Sequence, residues 1–392
     1  MITALKLLAW LIALAWLWKA ITAARGLPRI PNLLEPRYNL TPAGSPTVAV
    51  IVPARDEAAD IAATLESLLN QDYPNLQIFA VNDRSADSTG AIMDALAVEH
   101  PTRLRVLHVK DLPSGWLGKT HALALAARHA LAIHQPDYLL FTDADIVFHR
   151  EAIRRSLAQA VATQADHFVI FPTPLVESIG EGMLLGYLQV MGLWAARPWL
   201  ASDPESIRDS IGIGAFNLLR APAYQQLGGF DALRMEILED LTLARRVKLA
   251  GLRQRVAVAP GLVTLHWANG VMGVVDVMTK NLFAVFRFRI MLALLSCLWL
   301  TLFCLGPMAF LVLTETRIPA IFTLASVALL YALSNRHSQI STWYCFLFPA
   351  GAAFFIYSIL RSVITTLCAG GVTWRGTFYP LAELRKNRAP LI

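Results

Sequence analysis

Four long apolar runs constrain this chain more than any other feature: Ile2 to Ile21 near the start, and Ile290 to Leu313, Pro319 to Leu333 and Trp343 to Cys368 in the carboxyl third. A spanning helix needs about 20 mostly apolar residues, and runs of that kind rarely make up the core of a water-soluble domain. The composition agrees: 56% of the residues are hydrophobic and the mean hydropathy is +0.49, above the roughly 45 to 50% of ordinary soluble domains. Residues from about 45 to 265 instead have mixed polarity and ordinary charge. The expectation is a soluble domain held on a bilayer at both ends: an anchor at 1–24, a domain at 45–289, a helical membrane bundle at 290–370 and a basic tail at 371–392. Lys6 also suits the positive region of a signal peptide, but Trp16, Trp18 and Lys19 stand where a small-residue cleavage site belongs, which favours an uncleaved anchor.

Basic residues suggest an orientation. Arg25, Arg29 and Arg37 follow the first run, and Lys280, Arg287 and Arg289 precede the second, which places the central domain in the cytoplasm by the positive-inside rule. The tail conflicts with this. Arg375, Arg385, Lys386 and Arg388 also ask to be inside, whereas three crossings after the domain would leave them outside. One run is therefore re-entrant, or Trp343 to Cys368 dips and returns around Arg361 and Gly370-Gly371. All four cysteines, Cys297, Cys304, Cys345 and Cys368, lie in the apolar third, so the soluble domain has no disulfide framework or thiolate zinc site. The formal charge of +6 is concentrated beside the spans, which suits anionic headgroups; no nucleic-acid motif is present, and no nucleic-acid partner is expected.

Inside the central domain, apolar strands alternate with helices. Thr47 to Val52 is a β-rich run stopped by Pro53; Asp56 to Asp60 opens a helix with acidic first-turn residues and a buried stripe of Ile61, Leu65, Leu68 and Leu69. Leu76 to Val81 and Leu104 to Val109 are further strands, and a helix over Thr120 to Ile133 leads to the strand that ends at Asp143. This order predicts an α/β fold with a doubly wound, mostly parallel sheet. His167 to Phe171 and Ile213 to Leu219 read as later strands, Met183 to Leu200 as an amphipathic or interfacial helix, and Ile237 to Arg246 as the start of another helix.

The strand Tyr138-Leu139-Leu140-Phe141 runs into Thr142-Asp143-Ala144-Asp145. Two carboxylates then stand at the carboxyl edge of a sheet, where ligands of open α/β sheets bind. Mg²⁺ or Mn²⁺ commonly takes one or two carboxylates plus substrate phosphate oxygens, so the pair suggests a metal-bound diphosphate. Asp56-Glu57, Asp83 with Asp87, and Glu239-Asp240 fall at other strand ends or helix starts of the same unit. Each alone also suits a helix cap.

Taken together and in this order, the motifs VIVPARDE (from Val50), VNDRSADST (from Val81), GWLGKTHAL (from Gly115), FTDAD, GIGAFNLLR (from Gly212), GGFD (from Gly228) and ILEDLTLARRVKLAG (from Ile237) give the chain its likeness. Over about residues 45 to 290 it resembles the inverting nucleotide-sugar glycosyltransferases of family 2, which have the GT-A fold. Lys280-Asn281-Leu282-Phe283 and a late W-R-G-x-x-Y piece (Trp374, Arg375, Gly376, Tyr379) are similar to the membrane-anchored members that glycosylate lipids, among them ceramide glucosyltransferase-like enzymes and those associated with hopanoids and carotenoids.

The resemblance implies roles. Pro53, Arg55 and Glu57 would hold the nucleoside; Asp83 would accept from a base N–H; Lys119 would meet the base or diphosphate. Asp145 would coordinate the metal, with Asp143 on ribose or a metal-bound water. Asp240 would be the general base that takes the acceptor hydroxyl's proton, and Glu239 its partner or an acceptor contact. Two adjacent carboxylates in a partly dry cleft raise the pKa of one of them, which helps a base work near neutrality. His266 is either a third metal ligand or a structural histidine. The Q-x-x-R-W motif of processive synthases is missing from Lys280 to Arg289, where Arg287 or Arg289 stands as its basic remnant. The expected function is single-sugar transfer from a nucleotide-diphosphate sugar, a UDP-sugar first, to a lipid hydroxyl at the cytoplasmic face. Transfer to a polyprenyl phosphate, polymer synthesis and a catalytically silent membrane scaffold are the alternatives.

Overall fold

Val48–Ala54 forms β1, the strand around which the computed structural model is organised; the structure describes residues 2–386, and Arg388 of the basic tail lies outside them. Alternation sorts its side chains between two cores. Val48, Val50 and Val52 pack on one face with Ile61, Leu65 and Leu68 of the helix Ile61–Leu69, Met93 of Thr89–Glu99, and Leu157 of Ala152–Ala162. Ala49 and Ile51 pack on the other with Ala122, Leu123 and Ala126 of Gly118–Ile133, and with Leu243 and Val247 of Glu239–Leu249. A strand buried on both faces has to be nearly all apolar, as this one is.

The remaining strands of this unit are β2 (Leu76–Asp83), β3 (Leu104–Val109), β4 (Tyr138–Phe141), β5 (Ile146–Phe148), β6 (His167–Phe171), β7 (Thr173–Pro174), β8 (Asn217–Arg220), β9 (Gln254–Val258) and β10 (Val263–Leu265). The main sheet runs β3-β2-β1-β4-β8-β6-β9, and a small sheet runs β5-β10-β7. β1, β2, β3 and β4 are mutually parallel, β8 is antiparallel to β4 and β6, and β9 is parallel to β6. The sheet is thus mixed, with helices on both faces. Chain order reverses between β1 and β4, since β2 and β3 are added on one side and β4 on the other; ligands of such sheets bind at that point.

Three local expectations change. β1 continues through Pro53 to Ala54, because its pairing with β4 ends at Ile51 opposite Phe141 and the missing proline N–H costs no ladder bond beyond there. Asp56 to Asp60 precede the first helix instead of filling its first turn: Asp56 Oδ1 accepts from the Ala86 N–H (2.7 Å), Asp87 Oδ2 from the Ala58 N–H (3.0 Å), and the Glu57 N–H donates to Thr89 Oγ1 (2.8 Å), which stitches the loops after β1 and β2 together. The aromatic helix spans Ile179–Ala195 and not Met183 to Leu200, because Pro198 disfavours helical backbone at the residue before it.

The chain divides into two compact units. Residues 30–173, 200–266 and 373–386 form the sheet unit; residues 2–29, 174–199 and 267–372 form a helical one. Within the helical unit, Trp16 of the helix Ile2–Gly26 is fully buried and donates from Nε1 to the Phe303 carbonyl (3.1 Å). Ile2–Gly26 and Thr314–Ser338 lie side by side in the same sense, with Lys6 3.5 Å from Glu315 and the Trp10 ring 6.0 Å from that of Phe322. Four segments, Ile2–Arg29, Ile290–Phe310, Thr314–Ser338 and Thr342–Ala369, are long and apolar enough to cross a membrane. Between 33% and 44% of their most apolar windows is buried within the protein, which leaves Leu7, Leu11, Leu295, Leu298, Ile318 and Ile321 facing outward. So much contiguous exposed apolar surface suits a bilayer and not water.

After the last of these helices, Gly371–Trp374 (β11) and Thr377–Pro380 (β12) form a hairpin that leads into a short helix, Leu381–Lys386. Residues 373–386 again belong to the sheet unit.

Candidate active site

The loop after β4 is held by its inward-facing residues. Thr142 Oγ1 donates to the Ala215 carbonyl (2.8 Å), and the Ala144 carbonyl accepts from Thr64 Oγ1 (2.8 Å); both residues are buried. The alternation that turns Thr142 and Ala144 inward leaves Asp143 and Asp145 for the crevice beside β1. Burial, reinforced by Asp143, pushes the Asp145 carboxyl up to about 6.

Lys119, the second residue of Gly118–Ile133, joins two of the predicted carboxylates. Its ammonium lies 2.6 Å from Asp143 Oδ1 and 2.6 Å from Glu239 Oε1. Burial by itself would weaken its protonation, but Asp143, Glu239 and Asp240 together outweigh that and hold its pKa well above the usual lysine range. About a fifth of the Lys119 side chain (22%) and a third of the Asp143 side chain (33%) stay open, so a ligand can reach both.

Glu239 and Asp240 begin the helix Glu239–Leu249, where its dipole favours acidic residues. Their surroundings differ. Glu239 is buried on the Lys119 ammonium, whereas Asp240 accepts from the adjacent Leu241 N–H (2.7 Å), and burial followed by the charge of Glu239 pushes its carboxyl up to about 7. Two glycines keep this corner open. A Cβ on Gly212 would fall 2.0 Å from the Asp240 carbonyl oxygen, and one on Gly214 2.6 Å from Asp143 Oδ2 and 3.4 Å from Lys119 Nζ.

At the end of β2, Asp83 is buried and both its oxygens accept from the Arg84 guanidinium, at 2.8 and 3.0 Å. Gly118 packs against this pair; a Cβ there would meet Asp83 Oδ2 at 2.4 Å. After β1, Arg55 donates from Nη1 to Thr377 Oγ1 (2.9 Å), and Glu57 pairs with Arg375. Burial, opposed by Arg375 and assisted by Asp145, pushes the Glu57 carboxyl up to about 7. Pro53 sits within β1 opposite Val81.

The chemistry of Asp143 and Asp145 fits a hard divalent cation. Two neighbouring carboxylates, one of them raised by its surroundings, carry more negative charge than the site neutralises, and Mg²⁺ or Mn²⁺ is satisfied by one or two carboxylates when phosphate oxygens complete the shell. Among the described residues no three His, Cys, Asp or Glu side chains gather as a ligand set.

Comparison with known proteins agrees with the geometry. The model of a family described as "Glycosyltransferase like family 2" matches residues 46–289. The chain belongs to this family. Among curated members, the 4,4'-diaponeurosporenoate glycosyltransferases of Staphylococcus aureus strains bovine RF122 / ET3-1 and MRSA252 are 23% identical to it, over 202 and 201 residues. Each match covers 50% of this chain and 50% of the relative, so the chain spans about half the length of the curated relatives it matches. A solved mannosyltransferase from Pyrobaculum calidifontis, in complex with GDP-Man and Mn²⁺, aligns over 90% of this chain and 99% of its own with a TM-score of 0.50 at 19% identity. The fold is GT-A.

For this family 2 chain, the structure brings Lys119, Asp143, Glu239 and Asp240 to one corner and links Glu57 to the Asp143–Asp145 pair through charge. Asp83 stands with Gly118 and Arg84. Sequence reasoning left Arg84 without a role, although it stands inside the quoted VNDRSADST segment, and treated Arg375 and Tyr379 only as part of a resemblance. The positive φ of Arg84 (58°) is a conformational signal that composition and periodicity do not carry.

Proposed function

We propose that this protein is a membrane-bound, metal-dependent inverting glycosyltransferase that moves one sugar from a nucleotide-diphosphate donor, first a UDP-sugar, to a lipid hydroxyl. The observation that carries the reading is the division of labour between Glu239 and Asp240. Lys119 holds Glu239 in an ion pair, while burial and the neighbouring Glu239 push the Asp240 carboxyl up to about 7, the range a general base near neutrality requires. Asp240 takes the acceptor hydroxyl's proton as that oxygen bonds to the anomeric carbon from the face opposite the donor; the bond from the anomeric carbon to the diphosphate breaks, and the nucleoside diphosphate leaves with the electron pair. The configuration at that carbon inverts.

Asp145, with Asp143, would hold a Mg²⁺ or Mn²⁺ ion, which when bound neutralises charge on the leaving diphosphate. Lys119 supports Asp143 in the same corner and contributes a fixed positive charge. Asp83 with Arg84, the loop at Arg55 and Glu57, and Pro53 at the end of β1 form the nucleoside end of the cleft. A lipid acceptor is supported by the outward-facing apolar helices and by the diaponeurosporenoate that gives the curated relatives their name.

We infer a membrane topology from the tail. Residues 373–386 fold as part of the sheet unit, so an even number of crossings separates them from it. Because Thr314–Ser338 runs parallel to Ile2–Gly26, which leads into the sheet unit at its carboxyl end, Ile290–Phe310 and Thr314–Ser338 make an outward and a return crossing. Thr342–Ala369 then begins and ends on the catalytic side, the cytoplasmic one by the distribution of basic residues. On this reading the basic tail lies on the same side as the other basic flanks.

The test of the reading is metal-dependent transfer. Purified protein in lipid should move radiolabelled sugar from a nucleotide donor into the organic phase, lose that activity with EDTA and recover it with Mn²⁺. Transfer undiminished by chelation would remove the metal from the account.

A further inference from the structure

The hairpin at residues 371–380 returns to the catalytic corner with a geometry that its own turn does not require. Two residues, Arg375 and Gly376, join β11 to β12, and both have positive φ (47° and 71°). Such a turn favours Asn, Asp or Gly at its first position. An arginine there costs backbone strain, and strain of this kind persists where surrounding contacts hold it. The contacts are all to the loop after β1. The guanidinium donates to the Arg55 carbonyl (3.1 Å) and toward that of Asp56 (3.4 Å), and it pairs with Glu57. Gly376 lies against the Arg55 guanidinium, and Thr377 accepts from it. Two strand-steps on, the buried Tyr379 hydroxyl accepts from the Gly118 N–H (3.1 Å), at the start of the helix that carries Lys119 and beside Asp83 and Arg84.

This hairpin therefore touches both segments that flank the cleft. Arg375 is also reachable, with 43% of its side chain exposed, and its partner Glu57 lies within the electrostatic reach of Asp145 and Asp143. The chain has no Q-x-x-R-W motif to supply a diphosphate-binding arginine.

We propose that Arg375 is a donor-binding residue whose guanidinium shifts from Glu57 to the diphosphate of the bound nucleotide, and that Tyr379 is a positioning residue that fixes the Gly118 turn and, through it, the Asp83–Arg84 pair. The inference rests on the glycosyltransferase reading above. It makes the carboxyl-terminal hairpin a wall of the donor site, joined to the cleft from the far side of the apolar helices in sequence.

The experiment measures binding of UDP and UMP to the full-length protein in nanodiscs with Mn²⁺, for wild type, Arg375→Asn, Arg375→Lys and Tyr379→Phe. Asn suits the positive-φ turn, so the first variant removes the guanidinium and keeps the hairpin; its melting temperature checks this. Arg375→Asn should weaken UDP by about tenfold, the scale of a charge-assisted hydrogen bond, and leave UMP nearly unchanged; Arg375→Lys should restore part of the UDP preference. Tyr379→Phe should raise the donor KM a few-fold with kcat kept. Equal loss for UDP and UMP in Arg375→Asn, or no loss for either, would overturn the diphosphate contact while leaving the glycosyltransferase reading in place. Absence of UDP and GDP binding by the wild type would overturn both.

Discussion

The ammonium of Lys119 lies 2.6 Å from Oε1 of Glu239, and this single ion pair separates two carboxylates that are adjacent in sequence. Glu239 is buried and tied; Asp240, one residue on, has a carboxyl pushed up to about 7, by burial first and by Glu239 second.

Removing the proposed base gives the clearest phenotype. Asp240→Asn should lower transfer at least 100-fold, the lower range for a general base, while UDP affinity stays within about twofold. Its effect on stability has a defined sign. A carboxyl raised in the folded state is protonated there when it is already ionised in the unfolded chain, so its contribution worsens as pH rises from the usual carboxylate range through about 7. Melting of the variant should therefore exceed that of wild type at pH 8, and the difference should close near pH 4.

The pH profile follows from the same carboxyl. Below about pH 7 Asp240 holds its proton, so kcat/KM should rise as pH increases through that value. Glu57 is also pushed up to about 7, by burial against the opposing charge of Arg375. In Glu57→Gln the acid limb should remain; its disappearance would transfer the limb from Asp240 to Glu57.

Lys119→Met should leave Asp143 and Glu239 without their shared cation. Breaking a buried pair from one side costs about 3 kcal/mol, and the partly open Asp143 reduces that to about 2 kcal/mol. Denaturation of the catalytic unit measures the loss. A double-mutant cycle with Glu239→Gln should show strong coupling, and additivity within about 0.3 kcal/mol would contradict the ion pair.

Much of this was legible in the sequence, and the limits have physical causes. The carboxylates at 143, 145, 239 and 240 follow apolar runs whose periodicity fixes where strands end and helices begin, so their places at the sheet edge could be read directly. Their pairing could not, because Lys119 reaches partners on a loop and at the start of another helix, both distant in sequence. Residues 213 to 216 read as strand from their apolar character, yet β8 starts at Asn217, whose side chain bonds back to the Ile213 carbonyl (2.8 Å) and to His167 (3.0 Å). The hairpin was least visible: three apolar helices separate it in sequence from the loop after β1 and the Gly118 turn that it contacts, and only the misplaced positive charge of the tail hinted at a return.

Gly212 and Gly214 should respond differently to alanine. At Gly212 the new methyl would meet backbone of Asp240, which cannot move aside without shifting the helix start, so Gly212→Ala should cost about 1–3 kcal/mol and most of the activity. At Gly214 the nearest atoms are the side-chain ends of Asp143 and Lys119. Gly214→Ala should keep its melting temperature and raise the donor KM, which steady-state kinetics would detect.

The topology makes its own prediction. In a cysteine-free background, a cysteine at Glu383 should be labelled by a membrane-impermeant maleimide from the same side of sealed vesicles as one at Glu99, both being exposed on the sheet unit. Labelling from opposite sides would restore three crossings.

The central claim is tested most directly by incubating the wild-type protein and Asp240→Asn, each in lipid with Mn²⁺, a panel of nucleotide sugars and a total membrane-lipid extract, and weighing the lipids by mass spectrometry. The account predicts a new glycolipid, one sugar heavier than its acceptor, from the wild type alone. The same glycolipid at equal yield from Asp240→Asn, or donor consumption with no lipid product from either protein, would contradict it.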